Sequence, residues 1–286
     1  MKILVTGAAG VLGSRVAKAL EDKHEVILLD MFEVDTPHEF RQADLRDLES
    51  ATAAIRDADL LMHCAAIHPW KKYTDDEYLG CNIVGAHHAF AAAAANGIPR
   101  VVYTSSVAAM GFAVANPDRP IVTEDTQPCR PVENLYCVTK HVGEQFCHLF
   151  HRSHGIKFIM LRPPTFIPYE DECYRAMRLL WNQVDVRDLV QSHVRAVDAD
   201  HVECDAFIAS APTPFQLSDF PELRTDPVSV IERYHPGARA HFEKRGVKVP
   251  PITYFYSHEK ATRELGYQPE FGFGRYLECV KKGEPF

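Results

Sequence analysis

Residues 3–13 carry the sequence Ile3-Leu4-Val5-Thr6-Gly7-Ala8-Ala9-Gly10-Val11-Leu12-Gly13. The stretch predicts a short buried strand over residues 2–6, a tight glycine turn and a helix over residues 11–21. This is the opening of a dinucleotide-binding βαβ unit. Gly7 permits the sharp turn, Gly10 lets the backbone approach a diphosphate, and Gly13 lets the helix pack closely on the sheet. The start of the helix, at Val11 and Leu12, then offers unpaired N–H groups and a positive dipole end to the phosphates.

The next predicted strand, over residues 26–30, ends in an acidic residue, Asp30. Its distance from the glycine turn is the one at which a carboxylate accepts hydrogen bonds from the adenosine ribose hydroxyls. A carboxylate there repels a 2′-phosphate, and Met31 and Phe32, rather than an arginine, follow it. The pattern therefore predicts NAD as the cofactor, in preference to NADP.

Strand and helix signals alternate through the first two thirds of the chain. Strands are predicted at residues 3–6, 26–30, 40–43, 60–64, 101–104 and 158–161, and helices at residues 11–21, 48–56, 76–96, 135–154 and 186–197. Alternation of this kind predicts an α/β fold, a Rossmann-type doubly wound parallel sheet. After residue 197 prolines become frequent and predict a small C-terminal substrate lobe of short elements. We assign residues 1–163 and 184–210 to the NAD-binding domain, and residues 164–183 and 211–286 to the lobe.

The bulk composition narrows the function classes. The 286 residues carry a net charge of −8, which argues against a nucleic-acid partner. The sequence has no apolar run long enough to span a bilayer and no signal-peptide pattern, so we expect a cytoplasmic protein without membrane partners. The eight cysteines contain no C-x-x-C pair, so we expect no metal site. His148, His151 and His154 recur every third residue, but a solvated helix end is the favoured interpretation.

A candidate catalytic pair lies far from the glycine turn. Tyr136 and Lys140 are four residues apart and so lie on one face of a predicted helix. A nearby ammonium group favours the phenolate, which lets the tyrosine take the proton of a substrate alcohol while hydride goes to a nicotinamide. Ser106 follows the strand at residues 101–104, where parallel sheets present functional groups, and is expected to orient the substrate oxygen. The alternative interpretation of this common Y-x-x-x-K spacing is an exposed helix face.

Together, the glycine turn, Asp30, Ser106, Tyr136 and Lys140 resemble an extended short-chain dehydrogenase/reductase of the NAD-dependent epimerase/dehydratase type. Further similarities run along most of the chain, including His63-Cys64-Ala65-Ala66 and Arg162-Pro163. The resemblance implies a homodimer formed through the helices at residues 76–96 and 135–154. It also implies additional cofactor-binding residues, namely Asp44, Leu45, Cys64, Ala65, Ala66, Asn82, Thr104 and Pro163. The substrate-binding residues that it implies are Ile67, His68, Ser106, Val107, Thr165 and Arg175.

Two reactions remain open within this group. Nucleotide-sugar epimerases usually carry a long insertion after the Arg-Pro strand end, whereas Pro163 and Val184 are only 21 positions apart here. The compact layout is more similar to uronate dehydrogenases, in which the arginine that Arg175 matches grips the substrate carboxylate. An arginine fork suits a carboxylate, although a surface charge is an equally good interpretation of Arg175. Those enzymes have an Asn-His pair where this chain has Val107 and Ala108. Another sugar or hydroxylated small molecule is therefore also a candidate substrate.

We therefore expect an NAD-dependent dehydrogenase of a small sugar, sugar acid or polyol. The second candidate is an epimerase that uses bound NAD transiently. The third, a non-catalytic NAD sensor on the same fold, is disfavoured because such a protein needs no Ser/Tyr/Lys set. Trp70, in the loop after residue 64, is expected either to stack on a sugar ring or to act as a lid or dimer contact.

Overall fold

The computed structural model describes residues 1–111, 119–126, 134–166 and 171–286. The strands in these ranges are β1 Lys2–Thr6, β2 Glu25–Asp30, β3 Glu39–Gln42, β4 Leu60–His63, β5 Arg100–Thr104, β6 Ile121–Val122, β7 Lys157–Arg162, β8 Cys204–Ile208 and β9 Phe255–Tyr256. Seven of them form one sheet in the order β3-β2-β1-β4-β5-β7-β8, and every neighbouring pair is parallel. The predicted Rossmann-type doubly wound sheet is confirmed.

Helices cover both faces of this sheet and also form a C-terminal cluster. They are α1 Val11–Leu20, α2 Leu48–Ala54, α3 Asp75–Tyr78, α4 Gly85–Ala95, α5 Leu135–His154, α6 Glu172–Arg178, α7 Val186–Val197, α8 Phe220–Leu223, α9 Pro227–Tyr234, α10 Ala238–Arg245, α11 Glu259–Leu265 and α12 Phe273–Lys282. One apolar core joins the sheet to α1, α7 and α11. A second core joins the opposite face to α2, α4 and α5. No helix in the described part of the chain combines the length and apolar character needed to traverse a bilayer.

The sheet order positions the functional site. The chain proceeds outward from β1 to β2 and β3 on one side, then crosses back to β4 beside β1. This reversal opens a crevice at the carboxyl ends of β1 and β4, which is where doubly wound folds bind ligands. Thr6 and His63 end these two strands and are hydrogen bonded to each other, with 2.9 Å between Oγ1 and Nδ1.

The structure differs from the sequence predictions in two elements of the sheet domain. Strand β8 was not predicted, because its sequence has only three consecutive apolar residues after Cys204 and Asp205. The helix predicted over residues 76–96 is divided into α3, a π-helical segment at Leu79–Val84, and α4. Such π segments often occur at functional sites, and this one carries Asn82.

The C-terminal part of the chain contributes a separate apolar cluster. It is built from α6, α8, α9, α10 and α12, with aromatic side chains such as Phe220, Phe242 and Tyr276 at its centre. The parallel pair β6–β9 lies beside this cluster. The prolines thus accompany short helices with their own buried core.

Helix α5, which carries Tyr136 and Lys140, packs closely against the sheet at Gly143. A Cβ added at Gly143 would overlap the hydroxyl of Tyr103, whose ring is buried between His63 and Phe90. We predict that Gly143→Ala lowers the free energy of unfolding by about 1–3 kcal/mol, because overpacking outweighs the better helix propensity of alanine. Urea denaturation measures this effect, and Gln145→Ala, at an exposed position of the same helix, is the control. A Gly143→Ala protein as stable as the control would contradict the tight packing.

Candidate functional site

The glycine turn has no room for side chains on its inner side. Gly7 adopts φ +71°, and a Cβ there would lie 2.8 Å from the backbone of Ala65 at the end of β4. A Cβ on Gly13 would overlap the carbonyl oxygen of Gly7. Gly10 precedes α1 and provides no side-chain cap for its first N–H groups. The turn therefore leaves backbone donors at the helix start available to a diphosphate.

Asp30 is fixed beside this turn. One carboxylate oxygen accepts a hydrogen bond from the N–H of Ala9 at 2.9 Å, and the other accepts one from Phe32 at 3.0 Å. The side chain faces a cavity of about 380 Å³. A carboxylate held in this orientation suits the ribose hydroxyls of an adenosine, as the sequence predicted.

An arginine that the sequence analysis did not consider lies at the same cavity. Arg46 lines it together with Asp44 and Leu45. Its guanidinium group is paired with Asp44 through three contacts of 2.6–3.0 Å, which hold the pKa of that carboxyl below its usual value. The charge of Arg46 is thus already matched within the protein, which agrees with the prediction of NAD.

Ser106, Tyr136 and Lys140 come together at a second cavity of about 450 Å³. The Ser106 hydroxyl accepts the N–H of Ala108 at 3.1 Å. Burial raises the pKa of Tyr136 above its usual value of 10, and its hydrogen bond with Ser106 opposes that rise. The sequence analysis expected the pKa of Tyr136 to be lowered. In the protein alone it is raised, because desolvation of the phenolate outweighs the polar contacts.

Lys140 is almost completely buried, with 3% of its surface exposed. Its ammonium group donates a 2.8 Å hydrogen bond to the carbonyl oxygen of Thr104, at the end of β5. It lies 5.1 Å from the ring centroid of Tyr103 and 5.9 Å from that of Tyr136, within reach of both π systems. Burial lowers the pKa of Lys140 to about 8. The group is therefore placed to influence the charge of Tyr136.

Two buried groups that sequence reasoning missed hold the strand end beneath the site. His193 of α7 bonds the Leu189 carbonyl through Nδ1 at 2.8 Å, which leaves Nε2 to accept the Thr104 hydroxyl at 2.9 Å. Burial keeps this imidazole neutral by lowering its pKa to about 4. The neutral His193 ring thus holds the side chain of Thr104, and the Lys140 ammonium group holds its carbonyl.

The second missed group is a buried ion pair. Glu144 accepts a 2.6 Å hydrogen bond from the hydroxyl of Ser105, beside the predicted catalytic serine. The same carboxylate pairs with Arg162 in a bidentate arrangement of 2.8 and 2.9 Å. Glu144 lies one helical turn after Lys140, and that spacing was the one available sequence signal for its position near the site.

The two cavities form one continuous cleft, because seven residues line both of them. They are Gly7, Gly10, Cys64, Ala66, Ile67, Lys71 and Tyr73. The cleft also brings together most of the residues singled out from the sequence, namely Val11, Leu12, Gly13, Asp30, Asp44, Leu45, Ala65, His68, Thr104, Ser106, Val107, Tyr136, Lys140, Pro163 and Thr165. Their individual roles stay predictions.

Two of the predicted site residues do not line the cleft. Asn82 is buried behind it, where its amide accepts the N–H of Ile67 at 2.8 Å and donates to the carbonyl of Ile67 at 2.9 Å. Arg175 in α6 lies 3.5 Å from Glu172 and 5.8 Å from the ring centroid of Phe286. Residues 167–170, shortly before α6, lie outside the described residues. The contact of Arg175 with a substrate carboxylate stays a prediction.

His68 and Trp70 lie at the end of the cleft that Tyr136 also lines. The ring of His68 meets that of Tyr136 edge-on, with 4.8 Å between centroids, and lies 5.6 Å from Trp70. Burial lowers the pKa of His68 to about 4, so the ring is neutral near pH 7. Among the described residues, no cluster of three or more His, Cys, Asp or Glu side chains is arranged to hold a metal ion.

Comparisons with known proteins agree with this geometry. Residues 3–180 match the model of the NAD dependent epimerase/dehydratase family. The chain belongs to this family. It is an NAD-dependent enzyme of the extended short-chain dehydrogenase/reductase type, and its glycine turn, Asp30 and continuous cleft fit the cofactor.

Individual relatives divide between two kinds of enzyme. Uronate dehydrogenase from Agrobacterium fabrum is 30% identical over 199 residues, which cover 68% of this chain and 72% of that protein. The crystal structure of uronate dehydrogenase from Agrobacterium tumefaciens gives a TM-score of 0.71 at 21% identity, covering 100% of this chain and 90% of that one. UDP-glucuronic acid 4-epimerase from Bacillus cereus, in complex with NAD, gives 0.68 at 21% identity, with both chains fully covered.

The charge of Lys140 provides a pH test that needs no substrate. Its pKa of about 8 is below the ordinary value of 10.5, so the side chain is positive below pH 8 and neutral above it. We predict one lysine resonance titrating near pH 8 in NMR spectra of protein with ¹³C-labelled lysine, well separated from exposed lysines. The unfolded chain retains this proton up to pH 10.5, so deprotonation of Lys140 adds stability between pH 8 and 10.5.

Lys140→Met is the control for this titration, because it removes the resonance and leaves the exposed lysines in place. A spectrum in which every lysine titrates above about pH 9.5 would contradict the desolvated environment of Lys140.

Proposed function

We propose that this NAD-dependent oxidoreductase oxidises a hydroxyl or hemiacetal carbon of a small sugar, sugar acid or polyol. The observation that carries the proposal is the meeting of Ser106, Tyr136 and Lys140 at the end of the cleft that begins at Asp30. This arrangement places a proton acceptor at the opposite end from the predicted adenosine position. When NAD is bound, its oxidised ring accepts hydride and adds a positive charge to the site.

In this proposal the protein handles the proton of the substrate hydroxyl. Ser106 donates a hydrogen bond to the substrate oxygen and holds it near the Tyr136 oxygen. The O–H proton passes to Tyr136 as the C–H hydrogen leaves as hydride, and the carbon–oxygen bond becomes double. The Lys140 ammonium group stabilises the phenolate form of Tyr136 that takes up this proton.

Two observations support a sugar or sugar acid as substrate. The uronate dehydrogenase from Agrobacterium fabrum is similar over two thirds of the chain. The catalytic end of the cleft also presents an aromatic ring, Trp70, beside polar groups of His68 and Thr165, a combination that suits a sugar ring. We further propose that residues 164–183 and 211–286 form the substrate-binding lobe and that Arg175 contacts a substrate carboxylate after a rearrangement of its side chain.

A second candidate is an epimerase that reduces and reoxidises bound NAD within one turnover. The family that the chain matches is named for epimerases as well as dehydratases, which supports this candidate. The short interval between Pro163 and Val184 leaves less chain for a nucleotide pocket and favours the dehydrogenase. Net release of NADH distinguishes the two reactions.

We predict that the purified protein forms NADH stoichiometrically from NAD with at least one member of a panel of hexuronates, aldoses and polyols. Tyr136→Phe should lower kcat by about 10²–10⁴-fold, because the proton acceptor is lost, while the Kd for NAD stays within about twofold. Tyr234→Phe, on the distant helix α9, is the matched control. Substrate epimerisation without NADH release would favour the second candidate, and near-full activity of Tyr136→Phe would contradict the relay.

We also propose that the protein is a cytoplasmic homodimer. The outer face of α5 exposes Val138 and Leu149, at 37% and 46%. They are eleven residues apart and therefore lie on the same side of the helix. Leu79 and Val84, just before α4, are also exposed, which extends the apolar character towards the neighbouring helix. Free thiols at the seven cysteines of the described residues, a set that excludes Cys129, are usual for a reducing compartment.

The dimer proposal predicts that Val138→Glu combined with Leu149→Glu converts the protein to a monomer in sedimentation-velocity experiments. Two charges placed in a desolvated helix interface are strongly unfavourable. Leu217→Glu changes a leucine that is 61% exposed away from these helices and should leave the dimer intact. A wild-type protein that sediments as a monomer at micromolar concentration would contradict the proposal.

A further inference from the structure

The junction between the two cavities is where the diphosphate of a dinucleotide has to lie. The adenosine side of the cleft is marked by Asp30 and the catalytic side by Tyr136, so the two phosphates lie between them. The glycine turn contributes Gly7 and Gly10 to both cavities and presents backbone N–H groups at this junction. Backbone donors alone leave the two negative charges of the diphosphate without a cationic side chain.

One cationic side chain belongs to the set of described residues that line both cavities. Lys71 follows β4 in the segment that begins at Ile67, and it is exposed within the cleft. The other cations of the described cleft are engaged within the protein. Arg46 is paired with Asp44, and Lys140 donates to the Thr104 carbonyl. Lys71 makes no ion pair with another described residue.

Residues on both sides of Lys71 are anchored. Ile67 is held by two hydrogen bonds to the buried Asn82 amide. Tyr73 packs edge-on against Tyr78, with 5.9 Å between ring centroids, and belongs to the apolar cluster around Tyr136. The segment between these anchors therefore stays at the cleft, while the flexible lysine side chain can adjust to a phosphate oxygen. Lys72, the next residue, is exposed but lines neither cavity.

We propose that Lys71 binds the diphosphate of NAD and completes, from the segment after β4, the anion site that the glycine turn begins. The ammonium group forms a charge-assisted hydrogen bond to a phosphate oxygen and adds a full positive charge, which a backbone amide does not carry. The proposal concerns binding of the cofactor and does not depend on the identity of the sugar substrate.

Binding of ADP-ribose tests the proposal, because this probe carries the diphosphate and lacks the nicotinamide. We expect Lys71→Met to weaken ADP-ribose binding about three- to tenfold in isothermal titration calorimetry, with a smaller dependence of Kd on salt concentration. Lys71→Arg should retain most of the affinity. The matched control, Lys72→Met, should bind ADP-ribose as the wild type does.

Adenosine separates loss of a phosphate contact from distortion of the cleft. Its ability to displace NADH, followed by NADH fluorescence and corrected for the NADH Kd of each variant, should be the same for Lys71→Met and wild type. Equal weakening of adenosine and ADP-ribose would overturn the proposal, as would unchanged ADP-ribose affinity in Lys71→Met or an equal loss in Lys72→Met. Failure of every sugar in the panel to yield NADH would leave these binding results intact.

Discussion

Burial of the Lys140 ammonium group is the constraint on which the rest of the site depends. A desolvated positive charge is costly unless it finds polar partners. Here the partners are the Thr104 carbonyl and the faces of two tyrosine rings. They stay in position because His193 holds the Thr104 hydroxyl and because Glu144, paired with Arg162, holds the neighbouring Ser105. Helix α5, two strand ends and α7 are therefore organised around one charge.

The cleft joins this buried charge to the predicted adenosine end at Asp30. The glycine turn and the end of β4 approach each other so closely that no side chain fits between them. In the proposed binding mode, the centre of NAD lies on the backbone of the glycine turn and meets Lys71, while its two ends meet Asp30 and Tyr136. These contacts would set the orientation of NAD before any contact with substrate is considered.

Much of the fold followed from local patterns in the sequence. The strand ending at Thr6, the helix beginning at Val11 and the long helix that begins at Leu135 are apolar runs with unambiguous turn signals, and the structure has them within one or two residues. Strand β8 was missed because it is stabilised by pairing with β7 rather than by its own composition. The π-helical segment carrying Asn82 was missed because helical periodicity does not reveal one extra residue in a turn.

The common position of Tyr136 and Lys140 was predictable, because residues four apart on a helix lie on the same face. The site was not predictable where two distant residues act together. Glu144 and Arg162 are 18 positions apart, and Thr104 and His193 are 89 apart. Only the parallel sheet brings such pairs to a common edge. Arg175 shows the opposite case, in which the sequence indicated a role and the side chain lies outside the described cleft.

The segment after β4 and helix α5 are attached to the fold through different residues. Tyr136 and Lys140 lie on a helix whose position depends on Thr104 and Ser105, whereas Trp70 lies on a segment anchored through Ile67 by Asn82 and through Tyr73 by Tyr78. Under the proposed function, a change at Trp70 alters what the pocket accepts while Thr104 and Ser105 keep their contacts. One sugar could then be exchanged for another without rebuilding the supports of Tyr136 and Lys140.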